Sequence, residues 1–176
     1  MLASLTSVDP DLRADILQFL ILETSLLDSR NFQQWLNLVA EDFVYQMPNP
    51  VTLDDPTRSP WAEGSYILNE TRQSLIDLWF SRYEPESFEF AWGERPLQRV
   101  RRFISNTQIV ADEESDAFVA TSNVLLSFAR QSDPVMLVPA GRVDTIRRTG
   151  DSFKLAKRVV QLDQTVLTTS HIRLIF

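Results

Sequence analysis

The sequence predicts an α+β fold: a strongly curved, mostly antiparallel sheet closing a cone, with about three N-terminal helices packed on its concave side. Two observations carry this. Apolar residues recur at three- and four-residue spacing up to residue 83, whereas after residue 99 they alternate. The alternating segments are long, about 12–15 residues, and tight turns join them into a meander; strands of that length curve and offer a hollow side for helices. With 176 residues, 44% of them hydrophobic and 11 of them phenylalanine, the chain can build one substantial core. Residues 1–176 therefore read as a single domain, with 1–8 as a flexible start.

Ser7–Arg30 reads as the first helix, with Asp9 as N-cap and Pro10 at the first helical position. Leu12, Ile16, Phe19, Leu20, Glu23, Leu26 and Leu27 form its stripe. Leu17, Ile21 and Leu22 widen it, so the helix is covered on more than one side, by its own sheet or by a partner chain. A short second helix runs from Phe32 to about Ala40 through Trp35, Leu36 and Val39. Glu41 and Asp42 close it, and Phe43–Met47 is a short strand ending at Pro48. Four prolines make 48–62 a loop, either functional or a plain surface excursion. Ser65–Tyr83 reads as a third helix, with Ile67, Leu68, Thr71, Leu75, Leu78 and Trp79 on its apolar side. In the irregular stretch 84–98, Phe88, Phe90 and Trp92 alternate with Glu89 and Ala91. They form a short edge strand or an aromatic patch; such rings are costly to leave in water, so this domain or a partner covers them.

Strands follow at Arg99–Val110, Ala117–Arg130, Val135–Arg148 and Ser152–Leu167, with a last short one at His171–Phe176. The turns are the acidic run 112–116, Ser132–Pro134, and a hairpin at Thr149-Gly150-Asp151. On the fourth long strand, Phe153, Leu155, Lys157 and Val159 share one face. Lys154, Ala156, Arg158 and Val160 share the other.

Composition closes many functions. A net charge of −7 disfavours a general nucleic-acid role. No apolar run reaches the roughly 20 residues a membrane span needs. The opening MLASLTSVDPDLR lacks a basic segment followed by an apolar one, so no secretory leader is expected and the cytoplasm is the default location. The absence of cysteine excludes disulfides, thiolate chemistry and Cys-ligated metals within the chain. A single histidine, His171, cannot make a two-His-one-carboxylate iron site or a multi-histidine zinc site.

The arginines Arg99, Arg101 and Arg102 open the first long strand. They are solvated charges, or they pair with carboxylates across a subunit contact. Alternation places Arg102 on the opposite face from Arg99 and Arg101. Asp42, Tyr45 and Arg102 could converge inside the cone as an Asp/Tyr site of a stand-alone isomerase or dehydratase. Their plain roles are capping, packing and ion pairing.

Four segments carry a family resemblance. Phe19–Pro48 resembles the opening of the small (β) subunits of Rieske-type aromatic-ring-hydroxylating dioxygenases. RVRRFISNTQIV at 99–110 is similar to that family's R-x-x-R-H-x-x-S-N strand, with Arg102 where histidine is frequent. VVQLDQTVL at 159–167 resembles its near-terminal signature, and HIRLIF resembles its apolar C-terminal tail. The resemblance implies an NTF2-like cone and an assembly of three large and three small subunits. It also implies a non-catalytic role: the large subunit carries the Rieske [2Fe-2S] cluster and mononuclear Fe(II), and this chain holds no catalytic, cofactor-binding or metal residue. The candidate subunit-contact residues are Phe88, Phe90, Trp92, Arg99, Arg101, Arg102, His171, Arg173 and Phe176. The assembly would oxidise an aromatic hydrocarbon or aromatic acid.

Overall fold

Helix α1 spans Pro10–Asp28, and local chemistry sets its start. Asp9 Oδ1 accepts from the amides of Asp11 and Leu12, at 3.0 and 3.4 Å, and Pro10 fills the first turn. The structure is a computed structural model and describes residues 8–112, 116–167, 169 and 173–176. The helix buries Ile16, Phe19, Leu20, Glu23, Leu26 and Leu27 and leaves Ile21 and Leu22 exposed.

Helix α2 is shorter than its periodicity suggests, Phe32–Leu36, and by Val39 the chain is already strand β1, Val39–Pro50. Val39 fits a helical stripe, but Val39, Phe43, Tyr45 and Met47 all bury as strand residues. Pairing on both sides of β1 outweighs one turn of helix.

The larger correction is at 65–71, expected to open a third helix: these residues, with the end of the expected loop, form strand β2, Trp61–Thr71. It pairs antiparallel with β1 through Gln46↔Asn69 and Val44↔Thr71. A short apolar run satisfies both periods, and sheet pairing decides between them. Thr71 then opens a helix by a capping box: its Oγ1 accepts from the Ser74 amide, and Ser74 Oγ accepts from the Thr71 amide. Helix α3, Arg72–Ser74, continues as a π-helical turn over Leu75–Phe80 and a 3-10 turn over Ser81–Tyr83. Pro48 and Pro50 lie within β1, at register irregularities that tolerate a missing amide. The stretch after Tyr83 is not an edge strand. It holds α4, Pro85–Phe88, and a 3-10 turn at Trp92–Glu94.

Strands β3, Arg99–Ala111, β4, Ala117–Ala129, β5, Met136–Thr149, and β6, Ser152–Leu162, form the expected meander. Gly150, at φ +59°, makes the β5–β6 turn. The sheet order is β2-β1-β6-β5-β4-β3, antiparallel except where β1 meets β6. The last strand ends at Leu162 rather than Leu167, and residues 173–176 form no strand. His171 and most of the acidic turn, 113–115, lie outside the described residues.

Two bulges break the alternation. On β3, Ser105–Gln108 stands opposite Asn123–Thr121, with Asn106 at φ +54°. On β6, Leu155–Lys157 stands opposite Ile146–Thr145, so Ala156 is an extra residue. The uniform faces expected for β6 therefore fail. Leu155 points inward before the bulge, and Arg158, Val160 and Leu162 point inward after it. The helices fill the inner side of this curved, unclosed sheet: Trp35 meets Phe43 at 5.9 Å and Phe19 meets Phe153 at 6.0 Å between ring centroids. The α+β cone is thus as predicted.

Candidate functional site

The interior of the cone is charged, and the charges belong to one another. Glu23 descends from α1, where the helical stripe calls for an apolar side chain. Arg142 and Asp144 alternate inward on β5, and the β6 bulge turns Arg158 inward beside them. All four are completely buried. Arg158 grips Asp144 with two bonds, Nε to Oδ1 at 2.7 Å and Nη2 to Oδ2 at 3.1 Å. Its Nη1 donates to Glu23 Oε1 at 2.9 Å. Trp35 Nε1 donates to the same Glu23 oxygen at 2.6 Å. Arg142 Nε lies 3.0 Å from Asp144 Oδ2, and its Nη1 lies 3.8 Å from Glu23 Oε2.

A second pair closes the network. Arg102, buried on β3, donates from Nη1 to Asp28 Oδ1 at 2.6 Å, and from Nε and Nη2 to the main-chain oxygen of Ile175 at 2.8 and 2.5 Å. Arg158 Nη1 also donates to the main-chain oxygen of Phe176 at 2.6 Å, and the Phe176 amide donates to Tyr45 Oη at 3.3 Å. Three guanidinium groups thus face three carboxylates and tie the tail to the sheet.

These partners set the protonation states. Burial alone would raise the pKa of Glu23, but Arg158 and Arg142 hold it down at about 2. Burial lowers the pKa of Arg102 and Arg142. Arg158 is pushed up, because Asp144 and Glu23 outweigh its burial. Burial raises Tyr45 to about 12. A carboxylate held at about 2 is a poor general base near neutral pH. The small cavity at Arg102, lined by Leu27, Phe80, Arg102 and Ile175, measures about 20 Å³, room for about one water, and Glu23 does not line it. Asp42 does not join Tyr45 and Arg102. It sits on the outside, 63% exposed, with both carboxylate oxygens 2.8 Å from Arg147 Nη1. The stand-alone isomerase or dehydratase reading fails at this residue.

The other candidates divide sharply. Arg102 and Phe176 are enclosed within the chain. Arg99 and Arg101 face out with no ion pair among the described residues. Phe90 and Trp92 are 77% and 82% exposed; Phe88 is half-buried, with the Arg95 guanidinium 5.8 Å from its ring centroid. A buried carboxylate holds this aromatic segment in place. Glu94 accepts from Tyr83 Oη at 2.8 Å and from Arg82 Nη1 at 3.3 Å, and the exposed Arg173 lies 3.8 Å from it. Arg130 Nη2 donates to the Gly93 oxygen at 2.6 Å. An open groove of about 490 Å³ lies at the start of β3, lined by Asp28, Arg30, Leu97, Gln98, Arg99 and Arg101.

Sequence reasoning did not single out Glu23, Arg142, Asp144 and Arg158 as a network. The signal was present, because each is a charge at an inward position of an otherwise apolar pattern. Among the described residues no three His, Cys, Asp or Glu side chains are grouped to hold a metal ion. A chain with no cysteine and one histidine does not fit a Rieske cluster or a two-histidine iron site. No described helix is long and apolar enough to cross a membrane.

Residues 22–169 match the family model described as ring hydroxylating beta subunit. The chain is 32% identical to 3-phenylpropionate/cinnamic acid dioxygenase subunit beta of Photorhabdus laumondii, over 96% of this chain and 94% of that one. It is 31% identical to biphenyl 2,3-dioxygenase subunit beta of Rhodococcus jostii, over 96% and 91%. In structure it is similar to naphthalene 1,2-dioxygenase with indole bound in its active site, with TM-score 0.81, 26% identity, and 97% and 88% of the two chains covered. The beta subunit of benzoate 1,2-dioxygenase from Burkholderia mallei shares the fold, with TM-score 0.63 and 23% identity over 89% and 92%.

Proposed function

This chain belongs to the family of ring-hydroxylating dioxygenase beta subunits, and from that premise we propose that it is one single-domain scaffold in a cytoplasmic hexamer of three large and three small subunits. It is the non-catalytic partner of a large subunit, which carries the Rieske cluster and the mononuclear iron. We take the substrate to be an aromatic hydrocarbon or aromatic acid, the classes to which the substrates named for its relatives belong.

The observation that carries the scaffold reading is the contrast between inside and outside. Each interior guanidinium is ion-paired with a carboxylate of the same chain, although Arg142 makes no hydrogen bond among the described residues. Phe90 and Trp92 stand out in solvent on an anchored segment, and Arg99 and Arg101 on β3 are exposed with no ion pair among the described residues. Large exposed aromatics beside arginines have the composition of a contact hot spot. We assign this end, with Phe88 and Arg173 at its margin, to the large subunit.

Co-expression with a large subunit tests the reading. The wild-type chain is expected to co-purify with it, while the isolated chain carries no stoichiometric iron. The double variant Trp92→Glu/Arg101→Glu should weaken capture by roughly ten-fold or more while keeping the native far-UV spectrum. Undiminished capture by the variant would overturn the surface assignment. Iron in the isolated chain, or no complex with any large subunit, would overturn the function.

A further inference from the structure

Residues Leu174–Phe176 enter the cone without joining its sheet. They form no strand, yet Ile175 and Phe176 are buried. Side chains seat them. Arg102 donates to the Ile175 oxygen, Arg158 donates to the Phe176 oxygen, and Tyr45 Oη accepts from the Phe176 amide. A segment held this way opens at lower cost than a strand in mid-sheet. The small cavity at Arg102 is lined by Leu27, Phe80 and Val100 together with Leu174 and Ile175, so the tail is part of its wall.

The interior around the tail has more donors than acceptors. A guanidinium carries several N–H donors and accepts nothing. Arg102 places two of its nitrogens on a single oxygen, that of Ile175. Arg142 is completely buried, and its Nε, Nη1 and Nη2 make no hydrogen bond among the described residues. Buried donors without acceptors are costly. Charge, by contrast, is balanced: Arg102, Arg142 and Arg158 stand against Glu23, Asp28 and Asp144. A donor-rich interior with no net charge suits a neutral acceptor, whereas a further anion would enter without a counter-charge.

We propose that the cone interior is a binding site for a neutral aromatic carbonyl compound, and that residues 174–176 are its built-in occupant. The Phe176 ring stands where the ligand's ring would lie. The oxygens of Ile175 and Phe176 stand where its carbonyl would accept from Arg102 and Arg158, and Arg142 supplies donors that the tail leaves unused. The ligand enters only those molecules whose tail has opened, so its apparent affinity is reduced by that fraction. The site is separate from the aromatic end assigned to the large subunit.

Benzylacetone keeps the ring-to-carbonyl spacing of phenylalanine and is the probe. Hydrocinnamate puts a charge on the same frame, and butylbenzene removes the oxygen. Calorimetry on the full chain should show Phe176→Ala binding benzylacetone roughly ten-fold or more tighter than the wild type does. The variant should also prefer benzylacetone to either analogue by roughly ten-fold. In the wild type, excess benzylacetone should speed hydrogen exchange of the tail amides, because it holds the opened state. That measurement decides the matter if Phe176→Ala does not fold. Butylbenzene bound as tightly as benzylacetone would reveal an apolar void only, and hydrocinnamate bound as tightly would contradict the neutral class. Either result overturns the proposal, as does tail exchange that benzylacetone leaves unchanged. A chain that passes these tests yet captures no large subunit overturns the dioxygenase reading alone.

Discussion

Glu23 occupies a stripe position where leucine would satisfy the helix, and its carboxylate is fully buried against Arg158, Arg142 and Trp35. Removing one partner from such a network leaves an uncompensated buried charge, which costs more than the network contributes as a whole. Glu23→Gln is therefore expected to lower unfolding stability by about 3–5 kcal/mol, read by urea denaturation. The same residue predicts acid sensitivity. Its pKa is depressed from 4.5 to about 2 in the folded state, so its contribution is complete above pH 4.5 and is lost as pH falls toward 2. The linkage amounts to on the order of 3 kcal/mol. The melting temperature should drop through that window, and a Glu23→Gln variant that still folds should lose that part of the slope. An unchanged slope would show that other carboxylates control acid unfolding. The sequence marks Glu23 as anomalous, but its partner Arg158 lies 135 residues away, and no local pattern connects them.

At the scale of elements, local signals were legible where the local chemistry is self-contained. Asp9 and Pro10 start α1 as expected, and Asp9→Ala should cost about 1 kcal/mol in thermal or denaturant unfolding, with no effect on assembly. The meander from β3 to β5 also follows from alternation and turns. Segment 65–71 reads as helix in sequence because Ile67, Leu68 and Thr71 satisfy a helical stripe, while the strand depends on β1, a neighbour that the local pattern cannot register. Bulges are hidden for the same reason: Ala156 is ordinary in sequence and becomes an extra residue only against β5. It aims Arg158 at Glu23 and Asp144. Deleting Ala156 puts one flank of β6 on the wrong face, so the expected result is loss of cooperative unfolding and of soluble yield.

At the scale of the whole molecule, an acidic chain presents arginines with no ion pair among the described residues at the end we assign to the large subunit. Arg99 and Arg101 are solvent-exposed, so their contribution should fall mainly on the association rate and be screened by salt. Raising salt from about 0.05 to 0.5 M should slow capture of the large subunit in biolayer interferometry. Arg99→Gln/Arg101→Gln should flatten that dependence, and an equal salt slope in wild type and variant would exclude these arginines. What the sequence by itself determined is the class of molecule: an α+β cone with one core, and no cysteine and too little histidine to carry iron–sulfur or mononuclear iron chemistry. Composition and periodicity suffice for that, because they are properties of segments. Which arginine faces in, that Phe176 is enclosed, and that Asp42 pairs outside with Arg147 were decided only by tertiary structure. Those outcomes depend on register and bulges, which arise when strands distant in sequence pair, and on the need for every buried charge to find its counter-charge.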